Sequence, residues 1–188
     1  QTGADLVVGC VAALKVYQPP MIIVDMGTAT TMVVLDESGA LVGGSISPGI
    51  KISMDALTDR TALLPGLQLD QPKQVIGRNT IDCMRSGIMM GNACMLDGMV
   101  ERMEAELGKK CTVVMTGGLS TVIAPHCKHE LILDPELLLK GLVILYHNYI
   151  HFLCQHIKIC LILQIFLPCQ EDMGIAFTGF QFLLGLVQ

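Results

Sequence analysis

The sequence predicts a layered α/β fold, and three features predict it. Short apolar runs bounded by turn residues, at Met21 to Val24, Thr30 to Leu35 and Ala40 to Ile46, have the length and composition of strands. Stretches with apolar residues three or four apart, above all the one from Asn79 to Leu107, have the helical period. After an opening helix the predicted order is β-β-β-α-α-β-α-β-α, which layers helices on a sheet.

The opening helix covers residues 1 to 18, where Val7, Val11 and Leu14 keep helical spacing and Pro19-Pro20 stops it. The first three strands form an antiparallel meander: Asp25-Met26-Gly27-Thr28 is the polar loop between the first two, and Glu37-Ser38-Gly39 turns into the third. Pro48-Gly49 precedes a helix from Ile50 to about Leu57, and Thr61 to Lys73 reads as loop punctuated by Pro65-Gly66 and Pro72.

The long helix opens at Asn79-Thr80, where either side chain can cap free N–H groups, and ends at Gly108. Ile81, Met84, Ile88, Met95, Met99 and Met103 form its predicted core stripe. Gly87, Gly91 and Gly98 leave notches for a second helix, a candidate subunit contact. Then come a strand at Cys111 to Met115, a short helix from Leu119 to Ala124 and a strand near Leu131 to Leu133. A last helix runs from Pro135 to about Tyr149, with Leu137, Leu138, Val143 and Ile144 as core.

Composition narrows the function classes. The net charge of -5 and pI near 5.4 argue against a nucleic-acid surface, which needs clustered Lys and Arg to replace counterions. The eight cysteines form no C-x-x-C pair and no signal peptide precedes them, so they read as free thiols of a cytoplasmic protein. The chain opens on Gln1 with a motif already at Gly3, and it is expected to start in mid-protein.

From residue 151 the character changes, with Lys158, Glu171 and Asp172 the charged residues among many Leu, Ile and Phe. Neither period is clean there. A membrane span would need about 20 predominantly apolar residues, and Gln155, His156, Lys158 and Gln164 interrupt the first apolar run. Residues 1–150 are expected to form the domain and 151–188 an apolar tail foreign to it.

Several residue types can carry chemistry. Gly27 lets backbone approach a ligand while Asp25 and Thr28 offer oxygens, which suits a metal ion beside a phosphate; an ordinary polar turn has the same residues. Gly117-Gly118, between strand and helix, is a second place where N–H groups can meet a nucleotide, or simply a tight turn. Asp5 is a general base or a solvated carboxylate, and Thr80 a ligand contact or a helix cap. His147 and His151 have the i, i+4 spacing of a metal pair, but no carboxylate joins them.

Order and separation add what single motifs lack. Gly3-Ala4-Asp5, Ile23-Val24-Asp25-Met26-Gly27-Thr28-Ala29-Thr30-Thr31, Gly43-Gly44-Ser45-Ile46-Ser47-Pro48-Gly49-Ile50, Asp59-Arg60-Thr61-Ala62-Leu63-Leu64-Pro65, Ile76-Gly77-Arg78-Asn79-Thr80, Ser86-Gly87, Leu96-Asp97-Gly98, Thr116-Gly117-Gly118-Leu119 and Leu139-Lys140-Gly141-Leu142 together resemble the type III pantothenate kinases, over roughly residues 3 to 149.

The resemblance implies a ribonuclease-H-like lobe of the acetate-and-sugar-kinase, heat-shock-70 and actin superfamily. It also implies phosphorylation of pantothenate by ATP, the opening step of coenzyme A synthesis, in a cytoplasmic homodimer that uses magnesium and a monovalent cation, potassium or ammonium. Carried over by residue, it makes Asp5 the proton acceptor, Gly3, Ala4, Asp5 and Leu6 part of the pantothenate pocket, and Thr80 a further pantothenate contact. Asp25 becomes the monovalent-cation ligand and Thr28 an ATP contact, with Gly27, Gly117 and Gly118 joining it on the nucleotide side.

Two departures stand out. The family usually has a basic residue after the catalytic Asp, and here it is Leu6; the family's first phosphate loop, Asp-x-Gly-Asn-Thr, is not among these residues. The isolated chain is therefore expected to bind ATP weakly and turn over little or no pantothenate, which ordinary activity in a coupled ADP-release assay would refute. Two competing readings remain: a non-catalytic transcriptional accessory regulator of the same fold, and a membrane-attached interaction protein built on the tail. Retention of Asp5, Asp25, Thr28 and Thr80 together favours the kinase.

Overall fold

The computed structural model describes residues 3–59 and 70–166, with side chains to residue 153. Residues 60–69, which take in Thr61 to Leu69 of the predicted loop Thr61 to Lys73, and the end of the tail after residue 166 lie outside the described residues.

In chain order the elements are α1 (Ala4–Val16), β1 (Met21–Met26), β2 (Ala29–Leu35), β3 (Leu41–Pro48), α2 (Ile50–Asp59), α3 (Thr80–Leu107), β4 (Thr112–Thr116), α4 (Ser120–Ile123), a 3-10 turn (Ala124–His126), β5 (Ile132–Leu133) and α5 (Leu137–Phe166). The chain divides into two units, residues 1–145 and 146–188. The first holds the sheet and its flanking helices; the described part of the second is helix. Residues 151–166 are helix although neither period is clean there: the apolar residues keep no single stripe, yet no Pro or Gly interrupts them. Among the described residues no helix is long and apolar enough to cross a membrane.

One five-stranded sheet runs in the order β3-β2-β1-β4-β5, with β1, β2 and β3 antiparallel and β4 and β5 parallel to β1. This is the predicted meander extended on one side, the arrangement expected of a ribonuclease-H-like lobe. Because β1 is central, its run Met21 to Val24 is buried on both faces, and both faces must be apolar.

On one face Ile22, Val24, Met26, Met32, Val34, Val113 and Met115 pack against Ile88, Met89, Ala93, Leu96 and Val100 of α3. On the other, Met21, Ile23, Val33, Leu35 and Val114 pack against Cys10, Ala12 and Ala13 of α1 and Leu137 of α5. Two predicted core residues of the last helix do not reach this core: Leu138 and Val143 are exposed, since the buried side of α5 is set by Leu137 and Ile144. Ile81 of the predicted α3 stripe is likewise exposed.

The notches at Gly87 and Gly91 face open space rather than another described helix, and Gly98 meets the side chain of Arg102. Asn79, not Thr80, caps α3: its Oδ1 accepts from the Asp82 N–H at 2.9 Å and its Nδ2 donates to Asp82 Oδ2 at 2.7 Å.

Two buried carboxylates pin the connections around β5. Asp134 accepts from Tyr17 Oη at 3.0 Å and from Lys140 Nζ at 2.7 Å, tying the end of α1 to α5. Asp97 of α3 accepts the N–H groups of Lys128, at 2.9 Å, and His129, at 3.1 Å, and faces His129 Nδ1 at 3.2 Å. Burial pushes the Asp97 carboxyl up, but these N–H groups and the imidazole outweigh it and hold the group below the usual carboxylate range.

Asp97→Ala, which leaves two partly buried N–H groups without their acceptor, is expected to cost about 1–2 kcal/mol. A carboxylate lowered by folding stabilises above its unfolded pKa, and that contribution disappears as pH falls through the folded value. Chemical denaturation of wild type and variant from pH 7 to pH 3 checks both points: the gap is expected to narrow on the acid side.

Candidate functional site

Asp25 breaks the apolar run of β1. It follows Val24 in the strand and, by alternation, its side chain shares a face with Ile23 and with α1. The same alternation and the pairings Asp25↔Thr31 and Asp25↔Thr116 put threonines on either side of it, one from β2 and one from β4. A polar rung, Thr31, Asp25, Thr116, thus lies directly beyond the apolar rung Val33, Ile23, Val114.

α1 crosses this face and brings Asp5 to it. Asp5, Leu6, Gly9 and Cys10 of α1 line one narrow cleft with Ile23, Asp25, Thr31, Val33, Thr116 and Leu138. The cleft has ≈ 20 Å³ of open volume, room for one water-sized species such as a monovalent ion or a hydroxyl group.

The two carboxylates differ. Asp5 is exposed in the first turn of α1, where the helix dipole favours negative charge, and its Oδ1 accepts from the Leu6 N–H at 2.9 Å. Among the described residues Oδ2 has no partner, so it is the oxygen left to accept a proton. Asp25 is half-buried and accepts no hydrogen bond among the described residues. Burial first, and then the charge of Asp5, raise its carboxyl above the ordinary value.

An ionised carboxylate without donors, facing a second one beside two hydroxyls, is a donor set that suits a cation: all its oxygens are free to coordinate. Asp25 is the residue that would hold it, with the threonine hydroxyls in reach.

Gly117 is built against this carboxylate. Its φ is +94°, and a Cβ there would lie 2.7 Å from Asp25 Oδ1 and 2.6 Å from the Met26 nitrogen. Gly118 has open space around it and is exposed. Gly27 and Thr28 form the exposed tip of the β1–β2 turn, and Gly49 packs under it so tightly that a Cβ would meet the Thr28 carbonyl oxygen. The start of α2 is therefore held against the turn.

Of the residues singled out from sequence, Asp5, Leu6 and Asp25 converge on the cleft, and Gly117 abuts it. Gly3 and Ala4 sit exposed at the head of α1. Thr28 and Gly118 are exposed at their two turns, and Thr80, exposed at the start of α3, does not line the cleft.

Sequence reasoning assigned no role to Thr31, Thr116, Cys10 or Leu138. A hairpin turning at Gly27-Thr28 announces a threonine opposite Asp25 but not which one: a two-residue turn pairs it with Thr30, whereas the observed register pairs it with Thr31. Nothing local announces Thr116 or Leu138, which arrive through a parallel pairing and a helix contact.

Comparison with known proteins gives the family. The sequence model of the type III pantothenate kinase family matches residues 1–102. The chain is 46% identical over 148 residues to the type III pantothenate kinase of Moorella thermoacetica, covering 79% of this chain and 58% of that protein. It is 42% identical over 158 residues to that of Bacillus cytotoxicus, covering 84% and 60%. The chain thus spans about three-fifths of the length of these relatives.

Among solved structures, one described as a Baf family transcriptional activator from Campylobacter jejuni superposes with a TM-score of 0.56 at 20% identity, over 79% of this chain and 65% of that one. An Alp12 filament structure superposes with a TM-score of 0.52 at 12% identity, over 75% and 53%. At these identities the likeness is one of fold, and it is the fold of the sheet and helices described above. The family match, the relatives' identity and the meeting of Asp5 with Asp25 lead to one conclusion: the chain belongs to the type III pantothenate kinase family.

Proposed function

We propose that this chain carries the acceptor side of an ATP-dependent phosphorylation of pantothenate to 4'-phosphopantothenate, the first step of coenzyme A synthesis. The observation that supports it most is that Asp5 and Asp25 line one cleft although twenty residues separate them.

In this reading the primary hydroxyl of pantothenate enters between the two carboxylates. Its oxygen attacks the γ-phosphorus of ATP, the bond from that phosphorus to the bridging oxygen breaks, ADP leaves, and the hydroxyl proton passes to Asp5 Oδ2. A base of this kind suffices because phosphoryl transfer has a loose transition state, in which the proton moves late and positioning dominates. A monovalent cation at Asp25, potassium or ammonium, would offset negative charge beside the phosphates, and magnesium would accompany ATP. Thr28 and Gly27 at the β1–β2 turn, with Gly117 and Gly118 at the β4–α4 turn, are the nucleotide-side contacts. Gly3, Ala4 and Leu6 border the pantothenate, and Thr80 is a further contact to it. Cytoplasmic location and pairing of two copies through the small-residue face of α3 belong to the same proposal.

Because folding raises the Asp25 carboxyl, its ionised form opposes folding, and stability falls as pH rises through the folded value. Asp25→Asn is therefore expected to raise the melting temperature in the absence of a coordinating cation. Potassium at ten times its dissociation constant is expected to raise the wild-type melting temperature by about 4 °C, relative to tetramethylammonium. The variant should show no such rise. Equal responses of both proteins to potassium would remove the cation from Asp25. For the base, whatever turnover the chain shows in a coupled ADP-release assay is expected to drop about 100-fold or more in Asp5→Asn, and an unchanged rate would exclude Asp5.

A further inference from the structure

We propose that Thr31 and Thr116 are the residues that orient the acceptor hydroxyl, an inference that rests on the function proposed above and names the part of the cleft that selects the substrate's reacting end. The two threonines come from different strands, β2 and β4, yet register sets both beside Asp25, on the face that Asp5 overlooks. Neither hydroxyl has a hydrogen-bond partner among the described residues. Thr116 is only 6% exposed as a residue, yet its hydroxyl is not closed off from solvent. Both hydroxyls are therefore free to donate to whatever occupies the cleft.

The chemistry defines what fills it. A hydroxyl oxygen about to attack phosphorus has its proton aimed at the base and two lone pairs to place. One lone pair must point at phosphorus in line with the leaving oxygen; the other is free to accept. A carboxylate oxygen of Asp5 or Asp25 can only accept, whereas a threonine O–H can donate to that second lone pair. Fixing the second lone pair removes rotation about the C–O bond and holds the first in the attack direction. The adjoining rung, Ile23 and Val33, with Cys10 and Leu138, offers an apolar surface next to the hydroxyls. With ≈ 20 Å³ of open volume the cleft has room for the hydroxyl alone, so it selects the reacting group and not the carbons behind it.

The test is calorimetric titration of the chain with pantothenate and with its deoxy analogue, in which hydrogen replaces the acceptor hydroxyl. Thr31→Val and Thr116→Val remove the hydroxyl at constant shape and keep the β-branch that strands favour. Wild type is expected to bind pantothenate about tenfold more tightly than the deoxy analogue. Each single variant should lose part of that preference, the double variant should bind the two compounds equally, and Thr→Ser at both positions should restore the discrimination.

If wild type binds neither compound, the proposed function fails and this inference with it. If wild type discriminates and the valine variants discriminate equally, the function stands and the threonines have no part in orienting the hydroxyl. Valine variants that keep the discrimination but lose the melting response to potassium would also overturn the inference, by assigning the hydroxyls to the cation. Should the double variant melt below the assay temperature, the two single variants and their serine counterparts carry the same comparison.

Discussion

Gly117→Ala is expected to destabilise the fold by about 3 kcal/mol and to displace the Asp25 carboxylate. Two separate costs add. A non-glycine residue at positive φ loses roughly 1–2 kcal/mol, and Gly117 sits at +94°. The new Cβ would also fall 2.6 Å from the Met26 nitrogen and 2.7 Å from Asp25 Oδ1, distances that no Cβ tolerates, so β1 or the β4–α4 turn must shift. At roughly 3 °C per kcal/mol for a chain of this size, the melting temperature should fall by about 9 °C. Gly118→Ala is the control: with open space at that position, its melting temperature should stay within about 1–2 °C of wild type. Equal behaviour of the two variants would show that the turn does not press on Asp25.

The second large effect is expected at Gly141. A Cβ there would lie 2.3 Å from the Val8 carbonyl oxygen, a backbone atom of α1 that no rotamer change can move aside. Gly141→Ala must therefore push α1 and α5 apart, at a cost of about 1–3 kcal/mol. The separation reaches the cleft from both sides, since α1 carries Asp5 and Leu6 and α5 carries Leu138, one turn before Gly141. Pantothenate affinity should fall with stability.

Gly91→Ala, in the middle of α3 with nothing near it, should do the reverse in a monomer, gaining about 0.5–1 kcal/mol from helix propensity. A loss of stability at Gly91 that grows on dilution would instead reveal a second copy packed against that face of α3. Denaturation of the three proteins at two concentrations separates these outcomes.

Much of this architecture was legible residue by residue. β1 and β2 announced themselves by composition, and the turn at Gly27-Thr28 between them makes them an antiparallel pair. Gly108 marked the end of α3 because a left-handed C-cap, here at φ 73°, favours glycine. Asp25 stood out beside Gly27 and Thr28 as an oxygen donor, but the sequence placed it in the loop, whereas the structure places it in β1.

Other positions resisted. Asn79 and Thr80 are both capping residues, and only the observed bond to the Asp82 N–H tells them apart. Leu137 and Leu138 are chemically identical neighbours. One is fully buried and the other 38% exposed, because the docking angle of α5 chooses between them. The helix beyond residue 150 was missed since its apolar residues, interrupted by Gln155, His156, Lys158 and Gln164, keep no clean stripe from which a helix is read.

The sequence alone determined most of the elements, their order, the family and the two carboxylates of the candidate site, because these depend on local composition and on motifs of a few residues. The tertiary structure decided that Asp5 faces Asp25, that Thr31 and Thr116 flank it, and that Gly117 and Gly141 must remain bare. Each of these follows from a pairing or a helix crossing between segments distant in the chain. Such contacts form only when both faces of a central strand are buried at once, and no window of the sequence contains both partners.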